Sequence, residues 1–301
     1  MRRIKTNSDT KALLFGLAAV ACWSTVATAF KVALSLLDPF QLVFYANLTA
    51  FAMLLAIVAV RGQIREITAN LLSHWRVTLI ASSLNPIAYY LILFSAYELL
   101  PAQVAMSINY SWAIVLTLMT VIFLKQQVFV ADWIAAFVCY SGVFVIATGA
   151  EVTSFKEAGM VGLWLALLST VIWAGYWTLN IADERDSTIG LTLNFLVALP
   201  VTGLLCATFS ELSISYKGIL AATYVGLIEM AIAFVLWSIA LKSTANASRV
   251  SNLIFLSPFL SLIIINQILD EAIMPHTVLG LILIFCGLIY QQRAHSQTKE
   301  A

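Results

Sequence analysis

The feature that most constrains this chain is a series of apolar runs, most of them close to 20 residues long, separated by short charged or polar segments. A helix of about 20 residues is roughly 30 Å long, which is the thickness of the hydrocarbon core of a bilayer. Charged residues make up only 10% of the chain, against roughly 25% in a soluble domain. The sequence therefore predicts an all-α integral membrane protein with ten transmembrane helices. The predicted spans are 12–36, 40–60, 77–97, 102–124, 129–149, 160–181, 188–209, 218–241, 247–268 and 277–291.

The charges between these runs predict the orientation of the chain. If the amino terminus is cytoplasmic, only Lys31, Lys156 and Lys217 of the 16 Lys and Arg residues fall on the outer side, which is a strong positive-inside bias. An even number of spans then makes both termini cytoplasmic, and we expect a multi-pass protein of the cell (inner) membrane. The segment 61–76 carries apolar residues at helical spacing. It is predicted to lie along the inner membrane surface, with a solvated loop as the alternative.

The two halves of the sequence resemble each other. Residues 105–112 of the fourth span align with residues 251–258 of the ninth, and the first and sixth spans each carry a central tryptophan. We therefore expect two five-helix repeats, residues 1–150 and 151–301. Because each repeat has an odd number of spans, the two repeats insert in opposite orientations, and such transporters bind their solute near the bilayer midplane.

Residues in three spans and one turn resemble the drug/metabolite transporter superfamily, in its EamA-domain branch of ten-helix exporters. The resemblance covers nearly the whole chain. The residues that carry it are Trp23-Ser24, Trp173-Ala174, Ser257-Pro258 and the acidic turn Leu269-Asp270-Glu271. The first repeat departs from the family pattern, since it has Trp112 where proline is usual and Lys125-Gln126 where an acidic residue is usual.

Two short segments, 108–112 and 172–176, look most like the aromatic amino-acid exporter subgroup of this superfamily. The resemblance implies an exporter that works by alternating access. It also implies a central cavity lined by spans one, three, four, six, eight and nine, with the fifth and tenth spans outside it.

Glu229 is the outstanding polar candidate, because it lies near the centre of the eighth apolar span. A charge at that depth costs about 2.5–3.5 kcal/mol, and keeping a carboxyl of ordinary acidity protonated at pH 7 costs about 3.7 kcal/mol. Since the two costs are similar, small changes in hydration or partners can change its protonation state. Glu229 is therefore predicted to couple proton movement to transport or to bind an ammonium group. The alternative is a buried carboxyl that hydrogen-bonds two helices together.

Aromatic, amide and basic side chains in five other spans suit a zwitterion with an apolar or planar side chain. Asn85 precedes Pro86 inside the third span, where proline frees a backbone carbonyl. For each of these residues, interhelical packing is the alternative, and for Arg249 the alternative is a cytoplasmic topology anchor. The predicted lining residues are Trp23, Asn85, Tyr89, Asn109, Tyr110, Trp173, Tyr176, Arg249 and Asn252.

Other functional classes lack their signatures in this sequence. It has no Gly-rich loop that ends in Gly-Lys-Ser/Thr, and its histidines, in loops or the tail, have no metal or catalytic spacing. We expect no enzymatic activity, no cofactor, no metal and no nucleic-acid partner; the partners are the solute and the lipid bilayer, and a monomer is compatible with the sequence. Two alternatives stay open: export of other metabolites or drugs, including anionic sugar derivatives, and a membrane sensor on the same scaffold.

Overall fold

The structure is a computed structural model that describes residues 2–124, 130–149, 157–243 and 252–300. Every regular element in these ranges is helical. The chain divides into two compact units. The first comprises Met1–Ile87 and Arg185–Leu269, and the second comprises Ala88–Glu184 and Asp270–Ala301. Each unit therefore combines segments from both halves of the sequence.

The described α-helices are numbered in chain order. They are α1 Arg2–Leu34, α2 Pro39–Val60, α3 Ile64–Ser73, α4 Trp75–Ser82, α5 Tyr89–Leu99, α6 Ala102–Asn109, α7 Trp112–Leu124, α8 Val130–Gly149, α9 Glu157–Ala182, α10 Ser187–Phe209, α11 Tyr216–Tyr224, α12 Ala233–Lys242, α13 Ser257–Leu269 and α14 Pro275–Glu300. A π-helical segment, Ser83–Ala88, joins α4 to α5, and a second one, Val225–Ile232, joins α11 to α12. A short 3₁₀ helix, Asn252–Leu256, precedes α13.

The apolar helices agree with the predicted membrane architecture. Six stretches are long and apolar enough to cross a bilayer, and they coincide with the first, second, third, sixth, seventh and eighth predicted spans: Thr10–Leu34, Pro39–Val60, Trp75–Leu99, Gly159–Asn180, Ser187–Phe209 and Tyr216–Trp237. Three shorter apolar helices, Trp133–Ile146, Ser257–Leu269 and Pro275–Tyr290, correspond to the fifth, ninth and tenth. The all-α membrane fold is confirmed, and the count of ten spans stays a prediction.

The fourth predicted span differs from its prediction. Residues 102–124 form two helices, because α6 ends at Asn109 and α7 begins at Trp112. The backbone N–H of Ser111 bonds to the carbonyl of Ile108 at 3.0 Å, a three-residue spacing that is tighter than that of an α-helix. The span is helical on both sides of a turn that the sequence analysis did not predict, since neither proline nor glycine marks it.

The segment 61–76 is helical as α3, and none of its residues in Ile64–Ser73 is buried. Leu72 is 74% exposed and Trp75, at the start of α4, is 50% exposed. An exposed amphipathic helix of this kind suits the water–lipid boundary. The prediction of a helix here is confirmed, and its position on the membrane surface stays a prediction.

In the first unit, α2 and α10 pack antiparallel and are tied together at one end through the N-cap of α2. The Asp38 side chain accepts hydrogen bonds from the first backbone N–H groups of α2 and caps that helix. It also accepts a hydrogen bond from the Ser210 hydroxyl, which belongs to the residue that ends α10. Beside it, Gln41 donates to the carbonyl of Glu211 at 2.7 Å.

At the other end of the α2–α10 pair, the N-cap aspartate belongs to α10 and the residue it contacts ends α2. Asp186 is the N-cap of α10 and accepts the N–H of Thr188 at 2.9 Å. Its carboxylate lies 4.0 Å from the guanidinium of Arg61, the residue that ends α2. Midway between the ends, Asn47 donates to the Thr202 hydroxyl at 3.1 Å.

In the second unit, α8 and α14 pack closely because glycines bring their backbones together. A Cβ added to Gly142 would lie 2.5 Å from the carbonyl oxygen of Gly280. A Cβ added to Gly287 would lie 2.9 Å from the carbonyl oxygen of Ala135. Gly142 and Gly287 occupy matching places in the fifth and tenth spans, so these two contacts also correspond by exchange of the helices.

Candidate functional site

Glu229 lies in the π-helical segment Val225–Ile232 of the first unit and is only 7% exposed. This segment packs against α1 and α2. Three residues earlier, Gly226 sits so close to α2 that an added Cβ would lie 2.3 Å from the carbonyl oxygen of Ala46. π-helical turns are frequent at functional sites, so the backbone marks the same span that the sequence analysis singled out.

Trp23 on α1 is part of an aromatic cluster in the first unit. Its ring meets Phe234 edge-on, with centroids 6.0 Å apart, and Trp237 with centroids 5.2 Å apart. Two residues further along α1, the Thr25 hydroxyl shares a hydrogen bond of 2.7 Å with the hydroxyl of Tyr224 on α11. We call Trp23, Phe234 and Trp237 the first aromatic cluster; it lies on the helices that flank the Glu229 segment.

A larger aromatic cluster lies in the second unit. Trp173 on α9 stacks on Tyr89 of α5, with ring centroids 4.2 Å apart and an interplanar angle of 21°. It also stacks on Tyr176, with centroids 5.5 Å apart. Trp112 of α7 stacks on Trp177 with centroids 6.4 Å apart. We call these five residues the second aromatic cluster.

A polar chain begins at the edge of the second aromatic cluster. The Tyr89 hydroxyl donates to Asn109 Oδ1 at 3.3 Å, and Asn109 Nδ2 donates to the Ser169 hydroxyl at 2.9 Å. Ser169 in turn donates to the carbonyl of Ala166 at 2.7 Å. This chain connects α5, α6 and α9, and it sets hydroxyl and amide groups next to flat aromatic faces.

The structure brings together four of the predicted lining residues, namely Tyr89, Asn109, Trp173 and Tyr176, within the second unit. Tyr110 is directed to α14, where it meets Phe285 edge-on at 6.4 Å. Sequence reasoning missed Ser169 and the roles of Trp112, Phe234 and Trp237. Ser169 precedes Trp173 by one helical turn, and that spacing was the signal available for it.

The remaining predicted residues have different outcomes. Asn85 is fully buried, with 0% exposure, in the π-helical segment Ser83–Ala88 of the third span. Asn252 begins the 3₁₀ helix before α13, and its backbone alone is described. Arg249 lies outside the described residues.

The acidic turn of the second half has a structural contact within the second unit. The Glu271 carboxylate accepts the backbone N–H of Ala102 at 3.0 Å, at the start of α6. The Gln103 side chain donates to the carbonyl of Ala272 at 2.9 Å. A carboxylate at a helix N-terminus satisfies free N–H groups and suits the helix dipole.

Within the described part of the chain, no group of three or more His, Cys, Asp or Glu side chains could hold a metal ion. The polar chemistry that the structure does bring together consists of a buried carboxyl in one unit and hydroxyl and amide groups in the other. Groups of this kind bind by hydrogen bonding and charge.

Three comparisons with known proteins give consistent results. The family model described as the EamA-like transporter family matches the chain twice, at residues 10–148 and 160–290. No curated protein gives a significant match. A crystal structure of a protein that is 20% identical in sequence aligns with a TM-score of 0.67, covering 96% of this chain and 99% of its own. At that identity, the likeness shows the fold alone.

Proposed function

Because the chain belongs to the EamA-like transporter family and is a membrane transporter of small solutes, we propose that it exports an amino acid or a related zwitterion. Solutes with aromatic side chains are favoured. Transport proceeds by alternating access around a site near the midplane, in the inner membrane of the cell, with both termini cytoplasmic.

The second aromatic cluster and its polar chain carry this proposal. Tyr89 and Trp173 present stacked rings, and Asn109 and Ser169 hold an amide and a hydroxyl beside them. Stacked aromatic faces suit a planar apolar side chain, and a few fixed polar groups orient the polar end of a ligand.

Glu229, in the first unit, carries the coupling part of this proposal. A carboxyl that is 7% exposed in an apolar span is expensive to keep charged, and intramembrane carboxyls in transporters serve proton relays and ion pathways. In the proposed mechanism, Glu229 takes up and releases a proton during the transport cycle or holds the ammonium group of the solute.

The proposal includes two inverted repeats, residues 1–150 and 151–301. It is supported by the reciprocal contacts of α2 with α10, where each helix begins at an aspartate bonded to the residue that ends the other. The glycine contacts of α8 with α14 repeat the same relation. A two-fold axis through each pair, in the plane of the membrane, produces reciprocal contacts of this type.

The test is counterflow of labelled amino acids, aromatic ones included, into liposomes that contain the purified protein, with and without a pH gradient. Saturable uptake of aromatic amino acids is the expected result. Uptake of other metabolites alone would overturn the substrate class. Binding without any flux would favour a sensor on the transporter scaffold and would overturn the transport mechanism.

A further inference from the structure

The side chain of Asn85 is buried without its usual hydrogen bonds. It is 0% exposed, and neither its amide nitrogen nor its amide oxygen has a hydrogen-bond partner among the residues that the structure describes. Buried amides are nearly always paired, because an unpaired group loses its contacts with water and gains nothing in return. A buried amide with both ends unpaired therefore indicates a contact that forms in another state of the protein.

The local backbone explains why nearby groups leave this amide unpaired. Asn85 is extended, with φ −139° and ψ 119°, inside a π-helical segment, and Pro86 has no N–H to continue the helix. The hydroxyls of Ser82 and Ser83 both donate to the carbonyl of Leu79, at 3.0 and 2.8 Å. Since these hydroxyls donate to their own helix, they do not donate to the amide oxygen.

Asn47 is a matched example in the same unit. It is also 0% exposed, and its amide nitrogen donates to the Thr202 hydroxyl at 3.1 Å, so that only its amide oxygen has no partner among the described residues. Packing in the first unit can therefore provide a partner to a buried asparagine. The difference at Asn85 lies in its position in the broken segment.

The chain passes from the first unit to the second within this segment, between Ile87 and Ala88. The other two crossings, after Glu184 and after Leu269, lie in connecting segments between helices. Of the three crossings, only the one between Ile87 and Ala88, two residues after Asn85, lies inside an apolar span. Because Pro86 interrupts the helical hydrogen bonds, the third span can bend at this break, and bending would change the surroundings of the amide.

We propose that Asn85 is a solute-binding group whose amide is released from its buried position when the third span bends. Its nitrogen donates to the carboxylate of an α-amino acid and its oxygen accepts a hydrogen bond from the ammonium group. An amide is suited to this pairing because it presents a donor and an acceptor side by side. Water satisfies the same two groups and is the competing occupant. This inference rests on the proposed function and identifies the Asn85 amide nitrogen and oxygen as the atoms that bind the charged groups of the zwitterion.

The test compares Asn85→Leu with Asn47→Leu in the full-length protein, by thermal unfolding in detergent with and without phenylalanine or tryptophan, and by counterflow in liposomes. An apolar side chain of similar shape removes both unpaired groups, so Asn85→Leu should unfold at the same or a higher temperature than wild type. It should lose the amino-acid-induced rise in unfolding temperature and show at least a tenfold higher KM. Asn47→Leu should unfold at a lower temperature and keep the amino-acid-induced rise.

The outcomes separate this inference from the proposed function. If wild type shows counterflow and Asn85→Leu has an unchanged KM, the proposed role of the Asn85 amide is overturned and the proposed function is not. Water would then be the partner of the amide. No counterflow and no thermal response to any amino acid in wild type would overturn both proposals.

A second variant covers a folding failure of Asn85→Leu. The cysteine in Asn85→Cys should react with a small membrane-permeant thiol reagent above the background of the four native cysteines, and saturating amino acid should slow the reaction at least tenfold. A reaction rate that amino acid does not change, or no reaction above background, would overturn the proposal.

Discussion

The two aromatic clusters are built alike and carry different chemistry. In each cluster a tryptophan from the first span of one half packs against the third span of the other half: Trp23 against Phe234 and Trp173 against Tyr89. The contacts in the first aromatic cluster are edge-on and flank the span of a buried carboxyl. In the second cluster, stacked contacts such as that of Trp173 with Tyr89 occur beside edge-on ones, and the stack adjoins Asn109. The duplicated packing is retained, and the polar groups beside it differ.

Under the proposed function, the difference between the two clusters corresponds to two roles, proton coupling and solute recognition. Stacked rings expose flat faces at the edge of a stack, which suits a planar ligand, whereas edge-on rings fill space between helices. A carboxyl changes charge and an amide does not. The first cluster is thus suited to coupling and the second to recognition, and each assignment can be broken separately.

The largest effect is expected from Glu229→Gln. The amide has nearly the shape of the carboxyl and cannot change charge, so the variant should insert normally and lose the pH-dependent component of transport completely. The measurement is counterflow at several pH values, normalised to the amount of protein. Glu211→Gln is the control, because Glu211 is exposed in a loop. Transport that follows protein abundance at every pH would make Glu229 structural.

The packing of the two clusters can be compared by replacing the central tryptophan of each with alanine and measuring the free energy of unfolding. Trp173 is 7% exposed and contacts several rings, so Trp173→Ala should lower the free energy of unfolding by about 3–5 kcal/mol. Trp23 is only partly buried, and Trp23→Ala should cost less. Thermal or denaturant unfolding in detergent measures both, with Trp173→Phe as the conservative control. Equal losses in the two alanine variants would contradict the difference in packing.

A pair of glycines compares the backbones of the two regions. A Cβ at Gly226 would lie 2.0 Å from the Thr49 hydroxyl oxygen, whereas a Cβ at Gly175 meets only the sulfur of Met119 at 3.8 Å. Gly226→Ala should therefore destabilise by about 1–3 kcal/mol through overpacking. Gly175→Ala should be neutral or stabilising by up to about 1 kcal/mol, because alanine favours helix. Unfolding midpoints measured side by side decide this, and a tolerated Gly226→Ala would show that α2 can move away from the π-helical segment.

The smallest effect is expected from Tyr89→Phe, which keeps the ring stack and removes the 3.3 Å hydrogen bond to Asn109. A hydrogen bond of this kind contributes about 0.5–1.5 kcal/mol to folding stability, so the free energy of unfolding should fall by no more than that amount. KM should rise as well, because Asn109 loses the hydroxyl that orients its amide. Counterflow at varied solute concentration measures it. An unchanged KM would place the polar chain outside the solute contact.

The apolar helical spans could be predicted from sequence because the length of an apolar run is a strong signal. The role of Glu229, which rests on a lone central charge, stays a prediction. The kink at Asn85-Pro86 could be predicted for a similar reason, since proline has no N–H to give. The π-helical segment around Glu229 could not, because it contains no proline and its backbone follows from packing against α2 at Gly226.

The breaks in the fourth and ninth spans teach the same lesson. A new helix begins at Ser257, just before Pro258, and another begins at Trp112, which aligns with that proline. The break in the ninth span lies just before a proline, which cannot donate a hydrogen bond to the preceding helix. The break in the fourth span has no proline. Both halves therefore have a break at the same position, but only the second half has a proline there. The ring contacts between distant spans likewise depend on tertiary packing that apolar periodicity leaves open.

The pairing of α2 with α10 also has a consequence in time. Arg61 and its hydrogen-bond partner Thr188 are 127 residues apart. At a synthesis rate of roughly 5–20 residues per second, about 6–25 s pass between the emergence of the two residues. During that interval, α2 has no α10 to cover Asn47 or to bond with Arg61. The nascent first half must therefore remain in the insertion machinery, or in contact with lipids, until α10 has been synthesised.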